Sequence, residues 1–262
     1  MKQLFIYINP AKRFGNSDWK DEPDVLVKVQ IDNSLALGWS IDDIILVTNF
    51  EYEYNGVKAV IVGDENYCEH SSGTPSKINV ICDMFNKGMI GDDLYWFHDF
   101  DAFQLEPFTK EELDLPPGKI ALTDYGYIRG TKSILSRWST GSIFFDKGCK
   151  DIFEWIKASV YKYTANEEVS LLVMTRHNDH DLLNRIKKLN ITWNLATRRR
   201  NVELCYRDAD KPIKILHFHP NDVRITSTGH NNIETCIYGK NWMGRPLIPD
   251  RLIKIFGDHN IK

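Results

Sequence analysis

The sequence contains, near the middle of its 262 residues, the stretch Leu94-Tyr95-Trp96-Phe97, which runs directly into His98-Asp99-Phe100-Asp101. Four consecutive apolar side chains are typical of a central strand that is covered on both faces. In an open α/β sheet, ligands bind beyond the carboxyl ends of the strands. The stretch therefore predicts a buried strand that delivers Asp99 and Asp101 to the ligand-binding edge of a sheet.

Around this stretch, short apolar runs alternate with longer amphipathic segments, a pattern that is typical of βαβ units. It predicts an α/β fold with a Rossmann-like, mostly parallel sheet flanked by helices, in a single domain over residues 1–262. Earlier strands are predicted at Leu4–Ile8, Ile44–Val47 and Val57–Val62. Helices are predicted from Val25 to Leu37 and from Pro75 to about Gly88, the second with Thr74 as its cap and Pro75 at its first position.

The second half of the chain is less regular, but its apolar runs still predict separate elements. Strands are expected at Ile120–Thr123, Ser142–Phe145 and Val202–Tyr206, and another near Ile213–Pro220. Helices are expected at Ile152–Tyr161, Glu167–Met174 and Ile248–Phe256.

The composition indicates a folded, soluble protein, because 42% apolar and 26% charged residues lie in the ordinary globular range. A formal charge of −3 supplies no general attraction to nucleic acid. No segment reaches the roughly 18 apolar residues of a membrane span, and the N-terminal apolar run is too short for a signal peptide. We therefore expect a cytoplasmic protein, or one of the host cytoplasm if the chain is phage-encoded. Five cysteines without CxxC spacing indicate neither a disulfide framework nor a zinc site.

Asp99 and Asp101 are separated by one residue, so on a strand both carboxylates project to the same side while Phe100 packs behind them. Two such carboxylates suit a hard cation, since Mg²⁺ or Mn²⁺ is commonly held by one or two protein carboxylates and keeps positions open for phosphate oxygens. The alternative is a loop whose aspartates cap the following turn. Two acids at the end of a buried strand are costly without a partner, which favours the metal site.

The order of an N-terminal strand ending in Asn9-Pro10, two further βα units and then Tyr95 to Phe103 resembles the GT-A class of glycosyltransferases. The resemblance implies that the DxD aspartates bind Mn²⁺ or Mg²⁺ and contact the donor, with Asp101 the more direct metal ligand and Asp99 nearer the ribose. It also implies a third ligand from a late histidine, and Ile215 to Pro220 offers His217 and His219. We prefer His219, next to Pro220, without separating the two; the glycine, lysine, proline and tryptophan that usually follow that histidine are not reproduced.

The same resemblance divides the chain into a donor-binding half, residues 1–107, and an acceptor-binding and metal-completing half, residues 108–262. In the donor half, Tyr7, Asn9 and Pro10 follow the first strand, and Asp64 follows a later one. These residues are expected to contact the base and ribose of a nucleotide sugar, with a UDP-sugar as the expected donor. Lys77, near the start of the second helix, is placed to meet phosphate, although an exposed lysine needs no such role.

Acidic residues in the second half are candidates for the chemistry. Glu167 and Glu168 begin a predicted helix, where the resemblance implies an acid beneath the acceptor, and an inverting enzyme needs a general base there. The alternative is compensation of the helix N-terminal charge. Asp124 lies beside the region from Gly126 to Gly141, which is expected to line the sugar or acceptor site.

The sequence thus predicts a metal-dependent glycosyltransferase that moves a sugar to a hydroxyl of a saccharide, or of a hydroxylated base in phage-type DNA. The DNA acceptor is kept because the chain resembles small phage or bacterial transferases. The basic run Arg198-Arg199-Arg200 is suited to a nucleotide diphosphate or to an anionic acceptor such as nucleic acid, with a solvated surface as the alternative. Two rival hypotheses remain at this point. One is a metal-dependent phosphohydrolase or nucleotidyltransferase, and the other is a non-catalytic module that binds nucleotide sugars.

Overall fold

The computed structural model describes residues 1–14, 23–126, 137–196, 202–218 and 248–261. The strands, in chain order, are β1 (Lys2–Tyr7), β2 (Ile44–Thr48), β3 (Glu53–Tyr54), β4 (Val57–Lys58), β5 (Val60–Ile61), β6 (Tyr95–His98), β7 (Ala102–Gln104), β8 (Ile120–Asp124), β9 (Trp138–Phe145), β10 (Ile186–Leu189), β11 (Leu195–Ala196) and β12 (Ile215–His217). The α-helices are α1 (Pro23–Ala36), α2 (Ser76–Asn86), α3 (Lys110–Leu113), α4 (Lys150–Tyr163), α5 (Glu167–His177), α6 (Leu182–Arg185), α7 (Val202–Asp208) and α8 (Asp250–Asp258).

A seven-stranded sheet in the order β10-β8-β9-β6-β1-β2-β5 forms the centre of the fold. Four of its neighbouring pairs are parallel, and β9 is antiparallel to both of its neighbours, β6 and β8. A smaller sheet, in the order β11-β12-β7, continues from the end of β6. The structure confirms the predicted α/β class, with a mostly parallel sheet flanked by helices in one domain.

Strand β6 lies between β1 and β9, and every one of its residues is buried. Its side chains alternate between the two faces of the sheet, as the pleat of a strand requires. Tyr95 and Phe97 belong to one apolar cluster, whereas Trp96 belongs to another with Phe108 and Phe144. Coverage on both faces explains why this stretch is apolar throughout, as its sequence predicts.

Helices pack on both faces of the central sheet. On one face α2, α4 and α5 bury Ile81, Phe153 and Leu171 in the cluster that holds Phe97. On the other face, α1 buries Val27 with Phe5. None of the described helices is long and apolar enough to cross a membrane. The packing leaves the carboxyl end of β6 as the place where several elements meet.

Three predicted elements differ from those in the structure. The strand expected at Val57–Val62 is divided, because Val57 pairs with Tyr54 in an antiparallel hairpin while β5 pairs with β2 in parallel. Helix α2 begins at Ser76 with Pro75 at its N-cap, and no side chain caps it. The strand expected at Val202–Tyr206 is helix α7. Periodicity alone does not distinguish a short apolar run in a strand from one in a helix.

We expect the substitution Phe144→Ala to lower the free energy of unfolding by about 3–5 kcal/mol, because it leaves a cavity in the core. Phe144 is fully buried, and its ring packs against Trp96, Phe108 and Trp193. Ile61→Ala is the control, since 51% of Ile61 is exposed; its effect should stay within about 0.5 kcal/mol. Urea denaturation measures both, and equal effects would contradict the assignment of this cluster to the core.

Candidate active site

Asp99 and Asp101 lie in a turn that joins β6 to β7, rather than on a strand as the sequence suggests. The turn is closed by the amide of Ala102, which donates to the carbonyl of Asp99 at 3.0 Å. It is attached to its surroundings at both aspartates: Asp99 N donates to Gly141 O at 3.0 Å, and Phe218 N donates to Asp101 O at 2.8 Å. The two carboxylates nevertheless come together, at the carboxyl end of the central strand.

Buried polar side chains hold this turn from below. Gln30, on α1, donates to the carbonyls of Phe100 and Ala102 at 2.8 and 3.1 Å. His98 Nδ1 lies 2.9 Å from the Ala102 carbonyl, and its Nε2 lies 2.8 Å from the Gln3 amide nitrogen. These partners assign Nδ1 as donor and Nε2 as acceptor. Burial lowers the pKa of His98 to about 3, so its imidazole is neutral and supports the turn.

A third potential ligand faces the two aspartates from the smaller sheet. His217 pairs with Ala102 across β12 and β7, and its Nε2 lies 3.0 Å from Asp101 Oδ1. One ligand atom from each of Asp99, Asp101 and His217 lies within 4.8 Å of the others. His219, the other predicted histidine, lies outside the described residues. Two carboxylates and an imidazole form a donor set that suits Mn²⁺ or Mg²⁺.

Gly141, on β9, is the residue that makes room for this group. A Cβ atom at this position would lie 2.4 Å from His217 Cε1 and 3.3 Å from Asp99 Oδ2. Because such a contact is far too close, any side chain here would displace the imidazole. Sequence reasoning did not single out Gly141, although a glycine within a strand often marks a close approach.

Lys77 is a buried lysine rather than an exposed one. Its Nζ lies 3.0 Å from Asp99 Oδ1 and 2.9 Å from Glu167 Oε1, and it donates to the Thr140 carbonyl at 3.4 Å. Burial by itself lowers the pKa of Lys77, but the attraction of Asp99 and Glu167 outweighs it and raises the pKa above its usual value. Lys77 is therefore a charged link between the DxD turn and helix α5.

Glu167 and Glu168 begin α5, and Asn166 caps the helix by accepting a hydrogen bond from Val169 N at 2.9 Å. Both carboxylates are directed at β9. Glu167 Oε1 accepts from the Thr140 hydroxyl at 2.9 Å, and Glu168 Oε1 accepts from the Thr140 amide at 3.2 Å. Glu167 is 3% exposed, and its Oε2 is buried without a hydrogen-bond partner among the described residues. Buried acceptors normally have a donor, so Oε2 is an unsatisfied acceptor in the interior of the site.

The predicted donor-binding residues at the ends of β1 and β5 lie together. Asn9 N donates to Asn49 Oδ1 at 2.9 Å, and Asn49 Nδ2 donates to Asp64 Oδ1 at 2.8 Å. The hydroxyl of Tyr7 accepts from Asn9 Nδ2 at 3.0 Å, and the exposed Pro10 follows in the same turn. The hydrogen bond from Asn49 lowers the pKa of Asp64. Asn49 was not predicted, although it lies two residues after the predicted strand Ile44–Val47 and directly follows β2.

Aromatic rings connect this donor cluster to the DxD turn. The ring of Phe100, between the two aspartates, stacks on Phe5 at 5.6 Å and lies 6.3 Å from the ring of Tyr7. Phe14 packs on Tyr7 at 4.7 Å. Phe100 therefore packs behind the aspartates, as its place in the motif predicts.

Asp124 lies apart from the cluster around Lys77. It forms a two-point ion pair with Arg137, with distances of 2.9 and 2.7 Å, and accepts from Gly126 N at 2.8 Å. Burial raises the pKa of Asp124, but the hydrogen bond from Arg137 outweighs it and the pKa is lowered. The contacts of Asp124 thus join the ends of β8 and β9, and its predicted catalytic role stays a prediction.

No protein-family model and no curated protein sequence matches the chain. Solved structures do match it. The galactosyltransferase LgtC in complex with donor and acceptor sugar analogs is 12% identical, with 98% of this chain and 96% of that chain covered and a TM-score of 0.56. An active-site mutant of LgtC is 11% identical over 83% of this chain and 87% of that chain, with a TM-score of 0.52.

A third similar structure is the glycosyltransferase GlyE of Streptococcus pneumoniae TIGR4, which is 12% identical. It covers 100% of this chain and 65% of that chain, with a TM-score of 0.51. At this level of identity the similarity concerns the fold. The chain therefore has the fold of GT-A glycosyltransferases, which confirms the resemblance seen in the sequence.

We expect Gly141→Ala to displace the His217 ring, because the added methyl group would occupy the position of the imidazole. Gly257→Ala is the matched control: Gly257 lies in α8, and nothing lies within 4 Å of the position of its Cβ. Long-range ¹H–¹⁵N spectra report the histidine ring nitrogens. The His217 signals should shift in the first variant and stay in place in the second; unshifted His217 signals in Gly141→Ala would contradict the close approach.

Proposed function

We propose that this chain is a metal-dependent glycosyltransferase that moves a sugar from a nucleotide-sugar donor to a hydroxyl of a saccharide. The observation that carries the proposal is the convergence of Asp99, Asp101 and His217 at the carboxyl end of β6. In open α/β sheets this edge is where ligands bind. The GT-A fold supports sugar transfer in general.

The residues present fit a divalent cation. Asp99 and Glu167 both contact the ammonium of Lys77, and Asp101 adds a third carboxylate beside Asp99 and His217. These carboxylates outnumber the ammonium of Lys77, which leaves negative charge for a cation to balance. Asp101 and His217 would hold Mn²⁺ or Mg²⁺ together with Asp99, and the bound ion would neutralise the donor diphosphate as it leaves. Lys77 orients Asp99 and holds it against helix α5.

The donor cluster would receive the nucleoside. Asp64 is suited to a ribose hydroxyl, and Asn49 holds it in place. Asn9 and Tyr7, with Pro10 beside them, would line the base. We propose a UDP-sugar as the donor and residues 1–107 as the donor-binding part, with Glu167 and His217 contributed by residues 108–262.

The glutamates would act on the transferred sugar and the acceptor. Glu167 Oε1 is bound to Lys77 and Thr140, so Glu167 would act on the donor sugar through Lys77. Glu168 lies next to it at the start of the helix and is the candidate for taking the acceptor proton. In this arrangement Glu167 positions the donor sugar, whereas Glu168 carries the proton.

The rival functions give different results in one experiment. The protein is incubated with a panel of nucleotide sugars, with and without Mn²⁺, and free nucleoside diphosphate is measured. Release that requires Mn²⁺ supports the transferase, binding without release identifies a non-catalytic module, and cleavage to nucleoside monophosphate and sugar phosphate identifies a phosphohydrolase. We propose a saccharide acceptor because the similar LgtC structure contains an acceptor sugar analog. The basic run Arg198–Arg200, which would suit a DNA acceptor, lies outside the described residues.

We expect Asp101→Ala to abolish Mn²⁺-dependent release of nucleoside diphosphate without unfolding the protein, because it removes a ligand from the turn. His217→Ala should weaken the Mn²⁺ affinity by at least about tenfold. His219→Ala is the comparison, and Mn²⁺ titration of the three variants separates the two histidines. If only His219→Ala lowers the Mn²⁺ affinity, the third metal ligand is His219 rather than His217. Unchanged Mn²⁺ dependence in Asp101→Ala would overturn the metal site.

We expect Glu168→Gln to slow transfer by about 10²–10⁴-fold, because the amide cannot take the acceptor proton. Its donor affinity should stay unchanged. Glu167→Gln should weaken donor binding as well, because it removes the charged partner of Lys77. Donor binding by calorimetry and transfer by product formation separate the two roles. If both variants kept full activity, the role left for these glutamates would be to compensate the charge at the N-terminus of α5.

A further inference from the structure

Tyr161, near the end of α4, has an unusual orientation for a surface tyrosine. Its hydroxyl lies 2.8 Å from Asn79 Nδ2, and Asn79 is only 3% exposed. The polar end of the side chain is thus directed into the protein, while 44% of the residue is exposed. Tyrosines with one end in water usually keep the hydroxyl there and bury the ring. The reversed orientation presents an apolar ring to solvent and fixes its position.

A second ring stands beside it. The imidazole of His70 lies 5.8 Å from the Tyr161 ring, at an interplanar angle of 72°. The two side chains therefore form a corner, with one flat apolar wall and one wall that carries ring nitrogens. We call this pair, Tyr161 and His70, the aromatic corner.

The aromatic corner lies at the same edge of the sheet as the candidate active site. Helix α2 begins at this edge, and two residues near its start face the two places: Lys77 contacts Asp99, and Asn79 contacts Tyr161. Helix α4 ends at Tyr163, and the short connection after it leads into α5, whose first residue is Glu167. Tyr161 is therefore linked to the group formed by Lys77, Asp99 and Glu167 in two ways: through Asn79 on α2, and through the short connection from α4 to α5.

The chemistry of the corner selects among possible occupants. A pyranose has a face of C–H bonds that packs on an aromatic ring, and hydroxyls around its edge that bond to imidazole nitrogens. The segment that carries His70 also carries exposed acidic side chains at Glu65 and Glu69. Lys157 and Lys162 flank Tyr161 on α4, so the charge around the corner is mixed and does not select for a polyanion such as nucleic acid. A neutral sugar ring matches both the apolar wall and the surrounding charge.

We propose that the aromatic corner is an acceptor subsite, which binds a sugar ring of the saccharide that receives the transferred sugar. The role as an acceptor subsite rests on the proposed function, whereas sugar binding at Tyr161 does not depend on it. Tyr161 would act through affinity for the acceptor and would take no part in the reaction of the donor.

The test compares Tyr161→Ala, Tyr161→Phe and the control Tyr163→Ala, a tyrosine of the same helix that is 47% exposed. Saturation-transfer NMR on the full chain measures binding of disaccharides that end in glucose, galactose, mannose or N-acetylglucosamine. Hydrolysis of the nucleotide sugar by water, without acceptor, is measured in parallel. We expect Tyr161→Ala to lose disaccharide binding, or to raise the acceptor KM by about tenfold, while donor hydrolysis is unchanged. Tyr163→Ala should resemble the wild type, whereas Tyr161→Phe, which keeps the ring but loses the hydrogen bond from Asn79 that orients it, should bind more weakly than the wild type and more tightly than Tyr161→Ala.

Three outcomes would overturn the subsite: no disaccharide binds the wild type, binding survives in Tyr161→Ala, or Tyr163→Ala loses binding equally. Competition by a single-stranded DNA oligonucleotide that is lost in Tyr161→Ala would assign the corner to nucleic acid instead. Failure of the proposed function has a different signature. In that case the wild type hydrolyses no nucleotide sugar, and the disaccharide measurement still decides whether Tyr161 binds sugar.

Discussion

The buried ammonium of Lys77 joins three parts of the chain, because it contacts Asp99 in the turn after β6, Glu167 at the start of α5 and the carbonyl of Thr140 on β9. A charge out of water is costly unless it is paired and hydrogen-bonded. Here two carboxylates and one carbonyl surround it, so loss of the ammonium would leave two neighbouring carboxylates without a counter-charge. The position of the DxD turn thus depends on this pairing, and the candidate metal ligands depend on the turn.

The turn itself is fixed by neutral groups. Gln30 bonds to two of its carbonyls, and His98 bonds to one of them from inside the sheet. Since a buried carbonyl without a donor is costly, these side chains leave the backbone little freedom. The ion pairs of Lys77 and the hydrogen bonds of Gln30 and His98 act on the same five residues, 98–102. A site built in this way is preorganised, which is what the proposed stabilisation of a leaving diphosphate would require.

Much of this arrangement follows from local sequence, and the rest follows from contacts between distant residues. The apolar run before Asp99 and the acidic start of α5 are local patterns, and the structure has both where the sequence predicts them. The burial of Lys77 depends on residues 22 and 90 positions away along the chain, which periodicity does not report. The role of Gly141 also depends on a residue distant in the sequence, since it is visible only when His217 is beside it. The prediction of a strand at Val202–Tyr206 was wrong for another reason: its apolar run is equally compatible with a helix.

Helix α2 connects the two ends of the proposed reaction. Lys77 and Asn79 are two residues apart, which on a helix with 3.6 residues per turn places their side chains on nearly opposite sides. One side meets the carboxylate of Asp99, and the other meets Tyr161 of the aromatic corner. The two contacts therefore hold the first turns of α2 to the candidate metal site and to the aromatic corner. In the proposed reaction, this helix would set the separation between the bound donor and the bound acceptor.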